Sequence, residues 1–130
     1  QYHRCISEKK RTASQGSITT LVDLTGLSVT VTVISGRRIK VSGTVLFQST
    51  VAGDVAELFI AEGGTLLQRH RLKLPDANSN EGLVIFVVLT PSVGSHPYKL
   101  QAQRNAGTGT ITMSAAADSP AIILVEDIGT

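Results

Sequence analysis

Two stretches in the first half of the chain alternate between apolar residues and other side chains, and this pattern constrains the fold most. In Leu27–Val33, every second residue is Leu or Val and the residues between are Ser or Thr. The same period continues through Ile39–Phe47, after the turn-forming pair Ser35-Gly36. A period of two gives each face of a β-strand its own set of side chains, and two such runs around a short turn predict a hairpin. Gly43 lies on the apolar face, where it indicates a bulge or close packing.

Shorter or more apolar runs follow, separated by glycine and proline. They predict further strands over Val55–Ala61, Thr65–Leu72, Leu83–Leu89, Tyr98–Gln103, Thr110–Ser114 and Ala121–Val125. Since Leu83–Leu89 is entirely apolar, we expect a strand buried on both faces. Asp54-Val55-Ala56-Glu57 also resembles a helix-capping box, which leaves two helical turns as the alternative there. The regular spacing of the neighbouring runs favours a strand that closes at Gly63-Gly64 into the next one.

This pattern and the composition together predict the fold class. Aromatic residues make up 4% of the 130 residues and Trp is absent, so the core is built from Val, Ile, Leu and Ala. Many short strands with frequent turns are typical of a sandwich or barrel. We expect an all-β fold, an eight- to nine-stranded antiparallel β-sandwich that is jelly-roll-like. Residues 1–15 show no apolar period and are predicted as an extended basic arm, with residues 16–130 as a single sandwich domain.

Charge and hydropathy argue against two classes of partner. The net charge of +2 arises in the N-terminal segment, and the rest of the chain is nearly neutral. Nucleic-acid binders usually present a basic face with aromatic residues for stacking, so we expect no nucleic-acid partner. The longest apolar run, Leu83–Leu89, is far shorter than the ~20 residues of a membrane-spanning helix, so we expect no membrane partner.

No local motif predicts catalysis, a metal or a cofactor. His3, His70 and His96 are far apart, and one cysteine, Cys5, cannot form an intrachain disulfide. The remaining candidates have structural interpretations. A calcium-like start at Asp76–Gly82 lacks its late Glu and is read as a plain loop, Glu126-Asp127 point to opposite strand faces, and Gly107–Thr110 is a hairpin loop. We therefore predict no catalytic, cofactor-binding or metal-ligating residue, and a chain that is not an enzyme.

Two groups of basic residues are candidates for contacts with a partner. Arg69, Arg71 and Lys73 share one face of a predicted strand, opposite His70, Leu72 and Leu74. This face is predicted to be a solvated surface, and a contact patch for an acidic partner or glycan is the alternative. The second group lies in the N-terminal arm and comprises Arg4, Lys9, Lys10 and Arg11.

The end of the chain resembles a recurrent ending in small virion proteins of tailed phages, particularly those of actinobacteria. In that family a Q-R-x-x-G-T-G-T segment precedes P-A-x-x-x-V-E-D-I-G, and the matching residues here are Gln103–Thr110 and Pro120–Gly129. Arg11–Ser14, Ile18–Thr20 and Ser35–Arg38 are also similar. The resemblance covers residues 11–129 and is strongest from Gln103 onward, so the segment before Arg11 lies outside it.

The resemblance implies a non-enzymatic structural protein of a phage virion, a capsid decoration or minor tail protein, and it transfers no catalytic residue. It also implies other virion proteins as partners, a homotrimer, and assembly into the virion in the cytoplasm of the bacterial host. The alternative is a receptor- or carbohydrate-binding module of a host-attachment device. Sugar binding usually needs exposed aromatic rings, and because the three Phe lie in strand patterns, Tyr2 and Tyr98 are the candidates.

Overall fold

The computed structural model describes residues 4–130, with side chains from Cys5 onward, and this part of the chain is entirely strands, turns and loops. Its strands are β1 (Arg4–Arg11), β2 (Gln15–Ile18), β3 (Val22–Val33), β4 (Arg38–Ser49), β5 (Val55–Glu62), β6 (Thr65–Lys73), β7 (Glu81–Leu89), β8 (Gly94–Ala106), β9 (Ile111–Ser114) and β10 (Ala121–Gly129). The all-β prediction is confirmed. Within residues 4–130, no helix is long and apolar enough to cross a bilayer.

The first sheet is organised around β4. One edge of β4 pairs with β7 along Ile39–Phe47, and the other pairs with β10 and, further along, with β9. Because a strand has only two edges, β9 and β10 lie end to end. Their outer neighbours β2 and β1 follow the same arrangement. The first sheet therefore has four strand positions, in the order β1/β2, β10/β9, β4 and β7.

The second sheet has the order β3-β8-β5-β6, and all its pairings are antiparallel. The two sheets together hold eight strand positions, two of which are interrupted, so ten strands are counted. Most successive strands lie in opposite sheets, as in a jelly roll, the double-sheet arrangement of eight strands. The prediction of an eight- to nine-stranded antiparallel sandwich is confirmed.

The core lies between the sheets and is made by the inward face of each alternating strand. The buried set comprises aliphatic side chains with Phe47, Tyr98 and Met113, as the composition requires. A β-carbon at Gly43 would lie 2.7 Å from Leu100 Cδ2 and 3.1 Å from Ile85 Cγ2. Gly43 therefore marks close packing between the sheets, one of the two interpretations that the sequence allowed.

From Arg4 onward, the N-terminal segment is not an arm outside the sandwich. Residues 4–11 pair with β10 as an edge strand of the first sheet, and Gln15 begins β2. The prediction of a separate arm over residues 1–15 is therefore wrong for the described part. The sequence pattern missed this strand because its charged side chains break the alternation of apolar and polar residues. Its backbone nevertheless pairs as in any edge strand. His3 and Tyr2 lie outside the described residues.

Two further strand predictions are corrected. β3 and β4 do not form a hairpin, because β3 belongs to the second sheet and β4 to the first. Both runs are apolar on one face because they cover the same core from opposite sides. β7 is not buried on both faces either, since Val84 is 60% exposed and Phe86 is 51% exposed. By contrast, Val55–Glu62 is a strand and not a helix, and it forms the predicted hairpin with β6.

Candidate interaction surfaces

The predicted basic patch lies on the outer face of the second sheet, where Arg69 and Arg71 lie over a buried carboxylate. Arg71 Nε donates to Glu57 Oε2 at 2.9 Å, and Arg69 Nε lies 3.9 Å from the same oxygen. Gln103 Nε2 donates to the other oxygen, Glu57 Oε1, at 2.7 Å. A carboxylate that is 1% exposed requires such partners. The two arginines are thus part of the sheet's own polar network, while Lys73 at the end of the same face is exposed.

The basic residues of β1 fall into two classes. Arg11 donates to three backbone carbonyls, those of Ala13 at 2.6 Å, Thr25 at 2.9 Å and Ser14 at 3.0 Å. Its planar guanidinium thereby fixes the break between β1 and β2 and ties it to β3. Lys9 and Lys10 are exposed, as a surface contact requires. For Arg4 the described backbone pairs with Asp127, and its side chain lies outside the described residues.

The segment Gly107–Thr110, singled out by the resemblance, is a loop that wraps around a buried carboxylate. Asp54, just before β5, accepts hydrogen bonds from Ser49 Oγ at 2.6 Å, Gly109 N at 2.9 Å and Thr108 N at 3.2 Å. These donors, led by the Ser49 hydroxyl, hold the pKa of Asp54 below its usual range against the opposing effect of burial. The segment is a loop, but the prediction of a hairpin loop is wrong, because β8 belongs to the second sheet and β9 to the first. The hydrogen bonds to Asp54 lock this loop to the one that precedes β5.

Two other segments that carry the resemblance, Ser35–Arg38 and Pro120–Gly129, are joined by an ion pair between Arg37 and Asp127. Arg37 Nε lies 3.0 Å from both oxygens of Asp127, and Arg37 Nη2 lies 2.7 Å from Asp127 Oδ1. Asp127 Oδ1 also accepts from Gly129 N at 3.0 Å. The bond joins the connection between β3 and β4 to the end of β10. As predicted, Glu126 and Asp127 point to opposite faces, and Asp127 is the inward one.

His96 is the histidine with the most constrained surroundings in the described structure. Its Nδ1 lies 2.7 Å from Glu62 Oε2 and its Nε2 lies 2.7 Å from the Ser92 carbonyl oxygen. Both partners are acceptors, and only the imidazolium carries a proton on each nitrogen. The Ser92 carbonyl and then Glu62 accordingly raise the pKa of His96. This arrangement fastens the loop between β7 and β8 to the end of β5.

The candidates for chemistry do not come together. Residues 4–130 contain no group of three or more His, Cys, Asp or Glu side chains placed to hold a metal ion. Cys5 is exposed on β1 and lines an open groove of about 390 Å³ with Ile6 and Thr30–Thr32. Residues 76–80 form a loop, in which Asn78 adopts a positive φ of 56° and its N–H donates to the Ser49 carbonyl, and Glu81 and Gly82 already belong to β7.

Two aromatic residues, Tyr98 and Phe86, differ in their solvent exposure from what the sequence predicts. Tyr98 is fully buried, its ring stacks on His96 with centroids 6.1 Å apart, and burial raises the pKa of its hydroxyl to about 12. It is therefore not available to stack on a sugar. Phe86, assigned to a buried strand by its pattern, is instead exposed, with Lys40 Nζ 4.8 Å from its ring centroid.

Phe86 belongs to an exposed apolar row that we call the β7 stripe, consisting of Val84, Phe86 and Val88. These side chains are 60%, 51% and 43% exposed. They alternate with the inward residues of β7, among which Ile85 is fully buried. Sequence reasoning missed the stripe because an apolar run reads the same whether a sheet is covered on one face or on two.

Comparisons with known proteins agree on the fold. No protein-family model matches the chain, and no curated protein sequence matches it. Among solved structures, a chain from T=1 particles derived from infectious bursal virus superposes on this chain with a TM-score of 0.50 and a sequence identity of 12%. The superposition covers 98% of this chain and 36% of that chain. A chain in the structure of infectious bursal disease virus, Gx strain, has a sequence identity of 11% and a TM-score of 0.50, and the match covers 100% of this chain and 38% of that chain.

A VP2 subviral particle of infectious bursal disease virus is also similar, at 9% identity, with 98% of this chain and 37% of that chain covered and a TM-score of 0.48. This chain thus spans little more than a third of the length of these three viral chains. At identities this low, the likeness shows that the chain shares a fold with chains found in virus particles.

Proposed function

We propose that the chain is a non-enzymatic structural protein of a tailed-phage virion. It would act through protein–protein contacts as an accessory surface component, either a capsid decoration protein or a minor tail protein. The observation that carries this proposal is the complete jelly roll, a fold shared with chains of infectious bursal disease virus particles. The resemblance of the C-terminal segments to small phage virion proteins supports the phage assignment.

The internal bonding of the molecule supports a building role. Its conspicuous polar groups, Asp54, Glu57 and Asp127, bond to neighbouring strands and loops. Such bonds stiffen a scaffold, which suits a protein that repeats one contact in an assembly. The proposed partners are other virion proteins and further copies of this chain, and the homotrimer is the state that the resemblance implies.

Purified particles of the phage that encodes the chain provide the test. We expect the chain in the particles at a fixed copy number by quantitative mass spectrometry, and gold-labelled antibody at one place, the head surface or the tail. Recombinant protein should also cosediment with particles that lack it. Its absence from washed particles would overturn the proposal.

A binding module for a receptor or carbohydrate is the alternative proposal, and the exposed ring of Phe86 is the observation that favours it. Lys40 Nζ lies over that ring, and Tyr98 is buried, so support for sugar stacking is limited to one ring in the described structure. A glycan array decides between the two. Binding that is lost in Phe86→Ala would favour the module, and no binding together with cosedimentation would favour the structural protein.

A further inference from the structure

β7 is an edge strand with an unusually regular backbone. It pairs with β4 from Glu81 to Leu89 without a register shift, and among residues 4–130 its other side has no strand neighbour in the first sheet. The Phe86 carbonyl accepts a hydrogen bond from Gln68 Nε2, at 3.3 Å, and Gln68 lies on the second sheet. This carbonyl therefore points away from β4, towards the free edge.

The backbone and the side chains of this edge are exposed at the same residues. In an antiparallel strand, the N–H and C=O of one residue point to the same side, and the side alternates along the chain. If Phe86 faces the free edge, Gly82, Val84 and Val88 do so as well. Three of these four residues form the β7 stripe, so backbone groups without a strand partner and exposed apolar side chains coincide.

The other sheet edges carry features that discourage pairing. β1 has a register shift between Cys5 and Ser7 and the charged run Glu8–Arg11. β6 presents Arg69, Arg71 and Lys73 and has a shift in its pairing with β5. β3 has an irregularity between Asp23 and Ser28, and its exposed side chains beyond it are Ser and Thr. Charges and bulges are the usual protection of edge strands, and β7 has neither between Gly82 and Leu89.

We propose that β7 pairs with β7 of a second copy of this chain in antiparallel orientation. Charge favours this occupant, because β7 itself carries no charge from Gly82 to Leu89 and so brings no like charges of its own into the new strand pair. Lys40 of β4, whose Nζ lies 4.8 Å from the Phe86 ring centroid, is one strand further from the edge. Self-pairing of β6 would instead bring like charges of its three basic residues together. Antiparallel pairing of identical strands is a two-fold, self-complementary contact. It joins the two first sheets into one and places the β7 stripes of the two copies side by side.

The pair is built from the groups already described. Gln68 moves off the Phe86 carbonyl, and a backbone N–H of the second copy replaces it. Apolar side chains of Val84, Phe86 and Val88 then lie opposite one another across the new strand pair, as β-branched and aromatic residues do in stable sheets. This two-fold contact differs from the homotrimer that the resemblance implies. The contact itself forms between free chains. The inference rests on the proposed function only in placing that contact in a virion.

Sedimentation equilibrium of the full chain at micromolar concentrations tests the contact. We expect a mass of two chains for the wild type, and in Val84→Lys a dissociation constant raised about tenfold or more, because the substitution places an ammonium in the shared apolar row. Val93→Lys is the matched control, since Val93 is 67% exposed but lies in the loop after β7. It should associate like the wild type. Val88→Lys is a second interface variant in case Val84→Lys does not fold.

Each outcome decides the proposal. A dimer weakened by Val84→Lys or Val88→Lys, but not by Val93→Lys, supports pairing through β7. A wild-type monomer overturns it, as does an oligomer that both interface variants leave intact. A trimer also overturns the two-fold contact, even one that the variants dissociate, while it leaves the virion role standing. Absence from virions leaves a β7 dimer standing, so the two failures are distinguishable.

Discussion

Gly109 N lies 2.9 Å from Asp54 Oδ2, and this hydrogen bond joins the loop after β8 to the residue that precedes β5. The same carboxylate accepts from Thr108 N and Ser49 Oγ. Gly107 and Gly109 lie so close to this carboxylate that neither position has room for a side chain. A β-carbon at Gly107 would lie 1.9 Å from Asp54 Oδ1, and one at Gly109 would lie 2.6 Å from Asp54 Oδ2. The glycines of the G-T-G-T segment are thus required by the carboxylate that they enclose.

Gly107→Ala should destabilise the protein strongly. Gly107 has a φ of +111°, which disfavours any side chain, and the new methyl group would overlap Asp54. We expect the free energy of unfolding to fall by about 2–3 kcal/mol, measured by urea denaturation. Gly64→Ala is the control, since nothing lies within 4 Å of a β-carbon there, and it should change stability by at most about 0.5 kcal/mol. Equal effects in the two variants would contradict the tight enclosure of Asp54.

Asp54 should make folding sensitive to acid. Its hydrogen bonds favour the carboxylate, so its pKa in the folded protein lies below the value of 3.8 expected when unfolded. A lowered pKa contributes stability above the unfolded value, and this stability is lost as pH falls through the folded value. We expect the urea midpoint of the wild type to fall below about pH 4, and that of Asp54→Asn to be lower at neutral pH but to change less with acid. Parallel curves would contradict this.

The alternating strands were predictable because their signal is local. Leu27–Val33 and Ile39–Phe47 lie within β3 and β4, and their apolar faces are buried as expected. The pairing of β3 was not predictable from the same pattern. A run with one apolar face covers the core equally well from either sheet, and which sheet it joins depends on strands distant in sequence.

The candidate sites were less predictable, because their partners are far apart in the chain. Asp54 and Gly109, like Arg37 and Asp127, meet only after the sheets have formed. No spacing rule connects such residues, although three of these four lie in segments that the phage resemblance singled out. The exposure of Phe86 was hidden for a different reason, since an apolar run looks the same whether its sheet is covered on one face or on both.

Arg37→Ala should be costly because the ion pair with Asp127 is largely shielded from water. The side chains of Arg37 and Asp127 are 17% and 10% exposed. We expect the free energy of unfolding to fall by about 3 kcal/mol, as for buried pairs that lose one partner. Arg37→Lys should recover part of this loss, since an ammonium lacks the planar two-pronged geometry. Arg38→Ala is the adjacent control at an exposed position, and a loss there equal to that of Arg37→Ala would contradict the role of the pair.

Gly43→Ala should strain the core between the sheets. The added methyl group would lie 2.7 Å from Leu100 Cδ2, and overpacking of this kind costs about 1–3 kcal/mol. Shortening the opposing side chain in Gly43→Ala/Leu100→Val should restore part of the stability, so a double-mutant cycle measures their coupling. Gly82→Ala is the matched strand control, because its nearest neighbour, Leu46 Cδ2, lies at an ordinary 3.6 Å. Strictly additive effects of the two core substitutions would contradict a direct contact between the new methyl group and Leu100.

His96 should make the protein more stable in mildly acidic than in alkaline solution. Its two nitrogens face the acceptors Glu62 Oε2 and Ser92 O, and its pKa is raised above the ordinary 6.5. A raised pKa gives stability that is fully present below about pH 6.5 and is lost as pH rises through the folded value. We expect the difference in unfolding free energy between wild type and His96→Gln to shrink from pH 6 to pH 9. A direct NMR titration of the His96 ring checks the same point, and a pKa at or below 6.5 would show that the imidazolium does not bridge β5 and the loop after β7.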